Sequence, residues 1–250
     1  MTERAFFRRL CELRERFTPP PGFTYPEIGD GMFFMTKSPC RRHQVTVADV
    51  RDQLAPQVPD GAGVFEAADT ASEVLGKLRV PDLVVTTGEA ATPLLAVEIV
   101  SPANPGTDYD VKSRDYPAMG IPHYLILDPR DGTWTYQWQV GGRRGSPVYE
   151  NRLRQPYGNA VTVAGGWKVE TGGLPLYSRA DMMLAPGVRY RQAVRRLWPA
   201  FAAAAPIRAA TAMTAAQNPL DVTRGHTNLA TTVTATATAM ELSTLNACLT

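Results

Sequence analysis

Leu94-Leu95-Ala96-Val97-Glu98-Ile99-Val100 is apolar at every position but one. A strand apolar on both sides is buried on both faces of its sheet. Glutamate is almost never fully buried unless paired. An unpaired buried carboxylate costs several kcal/mol or takes up a proton. Glu98 therefore calls for compensation by a basic side chain or a metal, unless it points off the sheet edge toward water or an arginine.

Asp82 opens a second apolar run, Asp82-Leu83-Val84-Val85-Thr86-Thr87, sixteen residues before Glu98. An antiparallel register that pairs 82 with 98 also pairs 86 with 94, leaving 87–93 as the loop. Both carboxylates then converge on one face. A slip of one residue would send one of them to the other face. Taken alone, Asp82 after Pro81 reads as a turn residue at a strand start.

The chain leaves this strand through Ser101-Pro102-Ala103-Asn104-Pro105-Gly106 and enters a predicted helix over 108–119. Asp108 can cap it, and Pro117 should kink or end it. Asp108, Lys112 and Tyr116 follow one another at four-residue steps, so they share a helical stripe. The short loop returns that stripe to the Glu98 strand. The plainer reading is an exposed Asp108–Lys112 pair, worth a few tenths of a kcal/mol.

Two converging carboxylates with a nearby lysine suit metal-dependent phosphodiester hydrolysis. Asp82, Glu98 and the carbonyl of Ile99 offer hard oxygen ligands for Mg²⁺ or Mn²⁺. Such a metal activates water and screens phosphate charge. The Lys112 ammonium helps position or deprotonate that water and stabilises the transition state.

Around this centre the chain punctuates clearly. Residues 3–17 form an amphipathic helix carrying Phe6, Phe7, Leu10, Leu13 and Phe17, ended by the Pro/Gly run 19–22. A short extended pair follows, 25–28 and 32–36, turned at Gly29-Asp30-Gly31. A second helix, 41–55, carries Val47, Val50 and Leu54. Strands are expected near 64–67, 82–87, 94–100, 123–127, 133–139, 147–150, 159–164 and 166–170. Helices first and a β-rich body after them, with one helix inserted, predict an α/β fold around a mixed sheet.

The last fifty residues differ. Residues 201–250 hold 14 Ala and 11 Thr, and their only charges are Arg208, Asp221, Arg224 and Glu241. Alternating Thr and Ala bury too little apolar surface to offset ordering entropy. The expectation is a domain over 1–197, with its core at about 20–190, and a low-complexity tail over 198–250. In all, 250 residues carry 26 Lys+Arg and 24 Asp+Glu, a net charge of +2. Removing two charges of each sign with the tail leaves the folded part at +2 as well. No apolar run reaches the roughly 18 residues of a membrane span. Cys11, Cys40 and Cys248 are too scattered for a disulfide framework or a zinc site. The charged N-terminus lacks a signal-peptide core, and the cytoplasm is the expected compartment. No P-loop, dinucleotide fingerprint or HExxH occurs.

Other residues read more plainly. Arg41, Arg42 and His43 look like a surface cluster at a helix start. His123 reads as structural. Trp134, Tyr136 and Trp138 alternate along an apolar sheet face. Arg143 and Arg144 are candidate backbone contacts for DNA.

Pro81-Asp82, Glu98 in Ala96-Val97-Glu98-Ile99-Val100-Ser101-Pro102, Asp108 with Lys112 and Tyr116, and Gly120 to Pro129 (GIPHYLILDP) together resemble the Uma-two family of restriction endonucleases, in the PD-(D/E)XK nuclease superfamily. The upstream YPEIGDGMFFMTKSPCRRHQ agrees, with Glu27, Gly31 and His43 in place. The resemblance covers roughly 20–190. It implies a restriction-endonuclease-like α/β/α core, Asp82 and Glu98 as metal ligands, Lys112 as the catalytic lysine, and Glu27 as an accessory acid. The superfamily's usual lysine, two residues after the acid, is replaced here by Val100; Lys112 on the following helix fits a migrated lysine. The expected function is a Mg²⁺- or Mn²⁺-dependent endonuclease acting on DNA. The alternative is the same fold as a catalytically inactive module that binds nucleic acid or protein. The oligomeric state stays open, with a homodimer suited to two-strand cleavage.

Overall fold

The structure is a computed structural model that describes residues 2–87, 92–102, 105–143, 145–183, 189–193 and 214–216. Met1–Gln217 forms one compact unit, and residues 218–250 lie outside the described ones.

Helix α1 (Glu3–Glu15) starts where the Thr2 hydroxyl accepts from the Ala5 amide at 3.2 Å. Its Phe6, Phe7 and Leu10 pack on Ile28, Phe33 and Leu78 in a core of their own. Those partners belong to strands β1 (Glu27–Gly29), β2 (Met32–Met35) and β5 (Lys77–Arg79). Asp30 and Gly31, both at positive φ, close the β1–β2 hairpin. A two-residue loop with positive φ at both positions is the turn whose twist matches paired strands.

The central sheet holds β3 (Ala62–Glu66), β6 (Leu83–Thr87), β7 (Leu95–Ile99), β8 (His123–Asp128), β9 (Thr133–Arg143) and β10 (Ser146–Pro156), in the order β10-β9-β8-β7-β6-β3. All neighbours are antiparallel except β7 and β8. The sheet is therefore mixed, and the β7–β8 connection carries the inserted helix, as a parallel pair requires. Leu83 pairs with Val97 and Val85 with Leu95, the register that the 82–98 spacing predicts. Residues 88–91 of the predicted loop lie outside the described residues.

Every residue of β7 is buried. Leu95, Val97 and Ile99 face helix α2 (Arg41–Leu54) through Val47, Val50 and Leu54. Ala96 and Val100 face Tyr116 and Met119 after the turn that follows. Helices on both faces give the expected α/β/α core. Trp134 and Tyr136 are buried in the α2-side core and Trp138 packs against it, as the alternation predicts.

Three differences from the sequence reading stand out. Two short strands, β4 (Thr70–Ser72) and β5, were not expected; they join β1 and β2 in a second sheet. The predicted helix 108–119 is a π-helical turn, Thr107–Lys112, running into α3 (Ser113–Ala118). Pro117 sits in the last turn of α3, and the helix ends one residue after it, as expected of a residue with no amide to continue the ladder. The strands expected near 159–164 and 166–170 are the short antiparallel pair β11 (Val161–Thr162) and β12 (Lys168–Val169). Of the segment expected to be a tail, only 214–216 is described: strand β14 (Thr214–Ala216) pairs with β13 (Arg189–Ala193), which pairs with β2. Arg144 and the side chain of Arg143 lie outside the described residues, as does Cys248. Cys11 and Cys40 are free thiols. No described helix is long and apolar enough to cross a membrane.

Candidate active site

The β6–β7 register carries Asp82, just before β6, to the end of β7. There its Oδ2 accepts from the Ile99 amide at 2.7 Å. Glu98 points to the other side of β7 from Leu95, Val97 and Ile99, toward the inserted helix, and is 2% exposed. Lys112 Nζ lies 2.7 Å from Glu98 Oε1, 3.5 Å from Asp108 Oδ1 and 3.6 Å from Glu27 Oε1. The Tyr116 hydroxyl donates to the same Glu98 oxygen. Asp82, Glu98, Lys112, Glu27, Asp108 and Tyr116 are thus brought together. Ile99 meets Asp82 through its amide.

The π turn explains how three helix residues reach one strand residue. In a uniform α-helix, eight residues at about 100° each would leave Tyr116 about 80° round from Asp108. A turn bonded to the fifth residue advances less per residue. It draws Asp108, Lys112 and Tyr116 back toward one line. The Asp108 carbonyl is held by the Ser113 hydroxyl at 3.2 Å and the Tyr124 hydroxyl at 3.0 Å. Asp108 is therefore not the cap that the sequence suggests. Its side chain is buried against Lys112, within the π turn and not at its start, and Gly106 stands at the cap position.

His43 also departs from expectation. It is no surface residue, being only 6% exposed. Its Nε2 lies 3.0 Å from Asp82 Oδ1 and its Nδ1 lies 3.2 Å from the Tyr177 hydroxyl. It faces inward because α2 lays its His43, Val47, Val50 and Leu54 stripe on the sheet. The four-residue spacing from His43 to Val47 was the available signal. His123 is structural: its Nδ1 meets the Tyr136 hydroxyl at 2.6 Å.

Arg79 and Asp115 went unremarked in the sequence. Arg79 is 3% exposed, and its Nε and Nη2 donate to Asp115 Oδ2 at 2.9 and 2.5 Å. Its Nη1 reaches Glu27 Oε2 at 3.3 Å. Glu27 Oε1 accepts from the Val80 amide at 3.0 Å. Lys77 reaches Asp115 at 2.7 Å. This network ties Glu27 to the helix that carries Lys112. A buried charge needs a partner, and Arg79 in the apolar surroundings of Leu78 and Val80 was the clue.

The electrostatics follow from crowding. Burial, with Asp82, Asp108 and Glu27 nearby, pushes Glu98 well above the usual carboxylate range, against the pull of Lys112. Burial also pushes Asp108 up to about 6, again against Lys112 and reinforced by Asp82 and Glu27. Burial alone would lower Lys112, but Glu27, Glu98, Asp108 and Asp82 outweigh it and hold the ammonium charged. Burial would raise Asp82, yet the charge and hydrogen bond of His43 overcome it and hold Asp82 low. The same pairing holds His43 above its ordinary value despite its burial.

These groups open on one pocket of about 620 Å³. Four carboxylates, Glu27, Asp82, Glu98 and Asp108, meet there with Lys112 and His43. Among the described residues, no three His, Cys, Asp or Glu side chains are gathered in metal-binding geometry. The ammonium of Lys112 stands among the carboxylates instead. The donor set still fits a hard divalent cation. Mg²⁺ is commonly held by one or two carboxylates with water and substrate phosphate completing its shell, and negative charge is in excess here.

A crystal structure described as a putative nuclease belonging to DUF820, from Anabaena variabilis ATCC 29413, is similar to this chain. It is 15% identical, with a TM-score of 0.45, over 68% of this chain and 94% of that one. No curated protein sequence matches. The family model described as Uma2, putative restriction endonuclease, matches residues 7–162, a span that contains Glu27, His43, Arg79, Asp82, Glu98, Asp108, Lys112 and Tyr116. By that match over more than half its length, the chain belongs to the Uma2 family.

Proposed function

We propose that this chain is a metal-dependent nuclease that hydrolyses DNA phosphodiester bonds, with Asp82, Glu98 and Lys112 as its catalytic centre. The observation that carries the reading is the Lys112 ammonium 2.7 Å from a buried Glu98, beside Asp82, in an open pocket. Family membership supports it.

Asp82, Glu98 and the Ile99 carbonyl are the groups that would hold Mg²⁺ or Mn²⁺. When bound, such an ion supplies Lewis-acid polarisation of the phosphate and a more acidic water. The chain's own residues do the rest. His43 and the Ile99 amide fix both oxygens of Asp82, so its carboxylate needs no reorientation. Tyr116 anchors Glu98 through Oε1, the oxygen that Lys112 also meets. Lys112 carries a permanent positive charge to the place where phosphate charge builds up, which lowers the transition-state energy. Glu27 and Asp108 hold that ammonium in line.

The test is cleavage of DNA by purified protein with Mg²⁺ or Mn²⁺. Lys112→Ala and Glu98→Gln should each lower the rate by at least about a hundredfold. Cutting that survives both substitutions would rule out this centre. A second reading, an inactive module that binds nucleic acid or protein, is favoured by one feature: the Lys112 ammonium already stands among the carboxylates, 2.7 Å from Glu98. Absence of any divalent-ion binding by calorimetry would select it. In cells the chain would act in the cytoplasm, as a homodimer if it cuts both strands. The nuclease domain would span 1–197, within a compact unit that runs on to Gln217.

A further inference from the structure

The same pocket extends beyond the carboxylates to an aromatic ring. Tyr25 lines it and is 42% exposed. Tyr25 and Glu27 belong to one extended run, paired through Thr24 to Thr36 and Phe23 to Lys37 before β1 begins. The pairing slips by one residue between Thr24–Thr36 and Glu27–Phe34, a bulge at Tyr25-Pro26. Tyr25 and Glu27 both line the pocket, and Glu27 touches Lys112.

The ring is held by a cation over one face. The Arg14 guanidinium lies 4.8 Å from its centroid. Arg14 is itself immobile: its Nε donates to the Pro26 carbonyl at 2.5 Å, and its two Nη groups grip Asp69 at 2.6 and 2.7 Å. Arg14 is 6% exposed, so backing and ring form one fixed unit. Its charge is spent on Asp69, which leaves the ring without a competing cation of its own for phosphate.

A rigid, part-exposed ring beside a phosphodiester-cleaving centre has the form of a stacking platform. Every base has a π-face, so stacking tolerates sequence. In a duplex those faces are covered by neighbouring pairs, and a base reaches a side chain only when unpaired or flipped out. The pocket volume, about 620 Å³, suits a drug-sized group rather than a duplex.

Resting on the nuclease reading, we propose that Tyr25 stacks an unpaired base next to the scissile phosphate, so that this site takes single-stranded DNA in preference to duplex. The DNA enters with one base on Tyr25 and its phosphate toward Lys112.

The experiment uses the full chain and oligonucleotides of one length: single-stranded, fully paired, and paired with a short unpaired gap. Cleavage is measured with Mn²⁺, and binding is read by the quenching of a fluorescent base analogue. Wild type should bind and cut the single strand and the gap roughly tenfold better than the duplex. Tyr25→Ala should abolish both the preference and the quenching, whereas Tyr25→Phe and Tyr25→Trp should keep them. Thermal melting of each variant confirms folding, and the Phe and Trp variants decide the matter if the Ala variant is unstable. Equal cutting of paired and unpaired DNA, or a preference that survives Tyr25→Ala, overturns the platform and leaves the nuclease reading standing. Failure to bind or cut any of the three overturns both.

Discussion

His43 and Asp82, thirty-nine positions apart in sequence, meet at 3.0 Å, and with the Ile99 amide at 2.7 Å they occupy one acceptor site on each Asp82 oxygen. The carboxylate is thereby oriented and kept charged, while the remaining lone pairs stay available. Removing the imidazole loosens both properties. His43→Ala should weaken Mn²⁺ affinity about 10- to 100-fold, the usual cost of losing a supporting contact behind a ligand. Calorimetric titration checks this, with His43→Gln expected to recover part of the loss. Affinity unchanged in His43→Ala would show that Asp82 holds its place without help.

Lys112 and Glu98 should respond unequally to neutralisation. Lys112→Met strips the carboxylates of their central cation and should cost about 3–5 kcal/mol of stability at neutral pH. Glu98→Gln replaces a carboxyl whose burial already disfavours its charge, leaves Lys112 beside Asp108 and Glu27, and should cost less than about 1 kcal/mol. Urea unfolding of both variants measures the asymmetry. Divalent cation should restore more stability to Lys112→Met than to wild type, because ligand binding to the folded state adds to its stability. Equal losses in the two variants would contradict the charge excess.

Asp108 gives a pH signature. Its folded-state pKa is about 6, above the ordinary carboxylate value of 3.8. The folded chain then holds the proton more tightly than the unfolded chain does. The contribution to stability is complete below about pH 4 and is lost as pH rises through about 6. Its size is at most about 3 kcal/mol. Asp108→Asn should flatten the stability profile between these limits and make the protein more stable than wild type at pH 7. Urea midpoints across that range test the sign, and a wild-type profile that climbs there on account of Asp108 would refute it.

Arg79 is predicted to matter for stability and for activity through different contacts. Arg79→Met leaves Asp115 to Lys77 alone and removes the Nη1 contact to Glu27. It should cost about 3–5 kcal/mol. Arg79→Lys keeps a charge without the planar fork and should fall between. If Glu27 steadies Lys112 as its 3.6 Å approach suggests, Arg79→Lys should lower kcat more than it raises KM. Steady-state kinetics on the folded Lys variant separate the two effects.

The central part of the fold was legible because each of its signals is local or counts residues. The pairing of 82 with 98 follows from two apolar runs and the loop between them, and β6 and β7 take that register. The His43, Val47, Val50, Leu54 stripe places α2, although reading His43 as part of a basic cluster hid its role. Strands β4 and β5 were illegible: three residues each, polar at two of the three, they are defined by partners rather than by pattern. Arg79–Asp115 joins residues thirty-six apart whose pairing depends on how the second sheet meets the helix. No residue type announces a π turn, so Asp108 reads as a cap although the structure buries it. Glu98 could be nominated from sequence because a charge is conspicuous in an apolar run, Asp82 because the loop length pairs it with Glu98, and Lys112 because it shares a four-residue stripe with Asp108 and Tyr116.

The wide turn at Thr107–Lys112 has a genetic meaning. It amounts to one residue more than a regular helix needs over that span. Deleting a single codon there would let the segment relax into ordinary winding, with Tyr116, Met119 and the sheet behind them largely undisturbed. Asp108 and Tyr116 would then stand seven apart, about 700° round the helix, and would still share one face. The turn therefore works as a spacer: it absorbs one extra residue while the side chains on either side of it keep a common face.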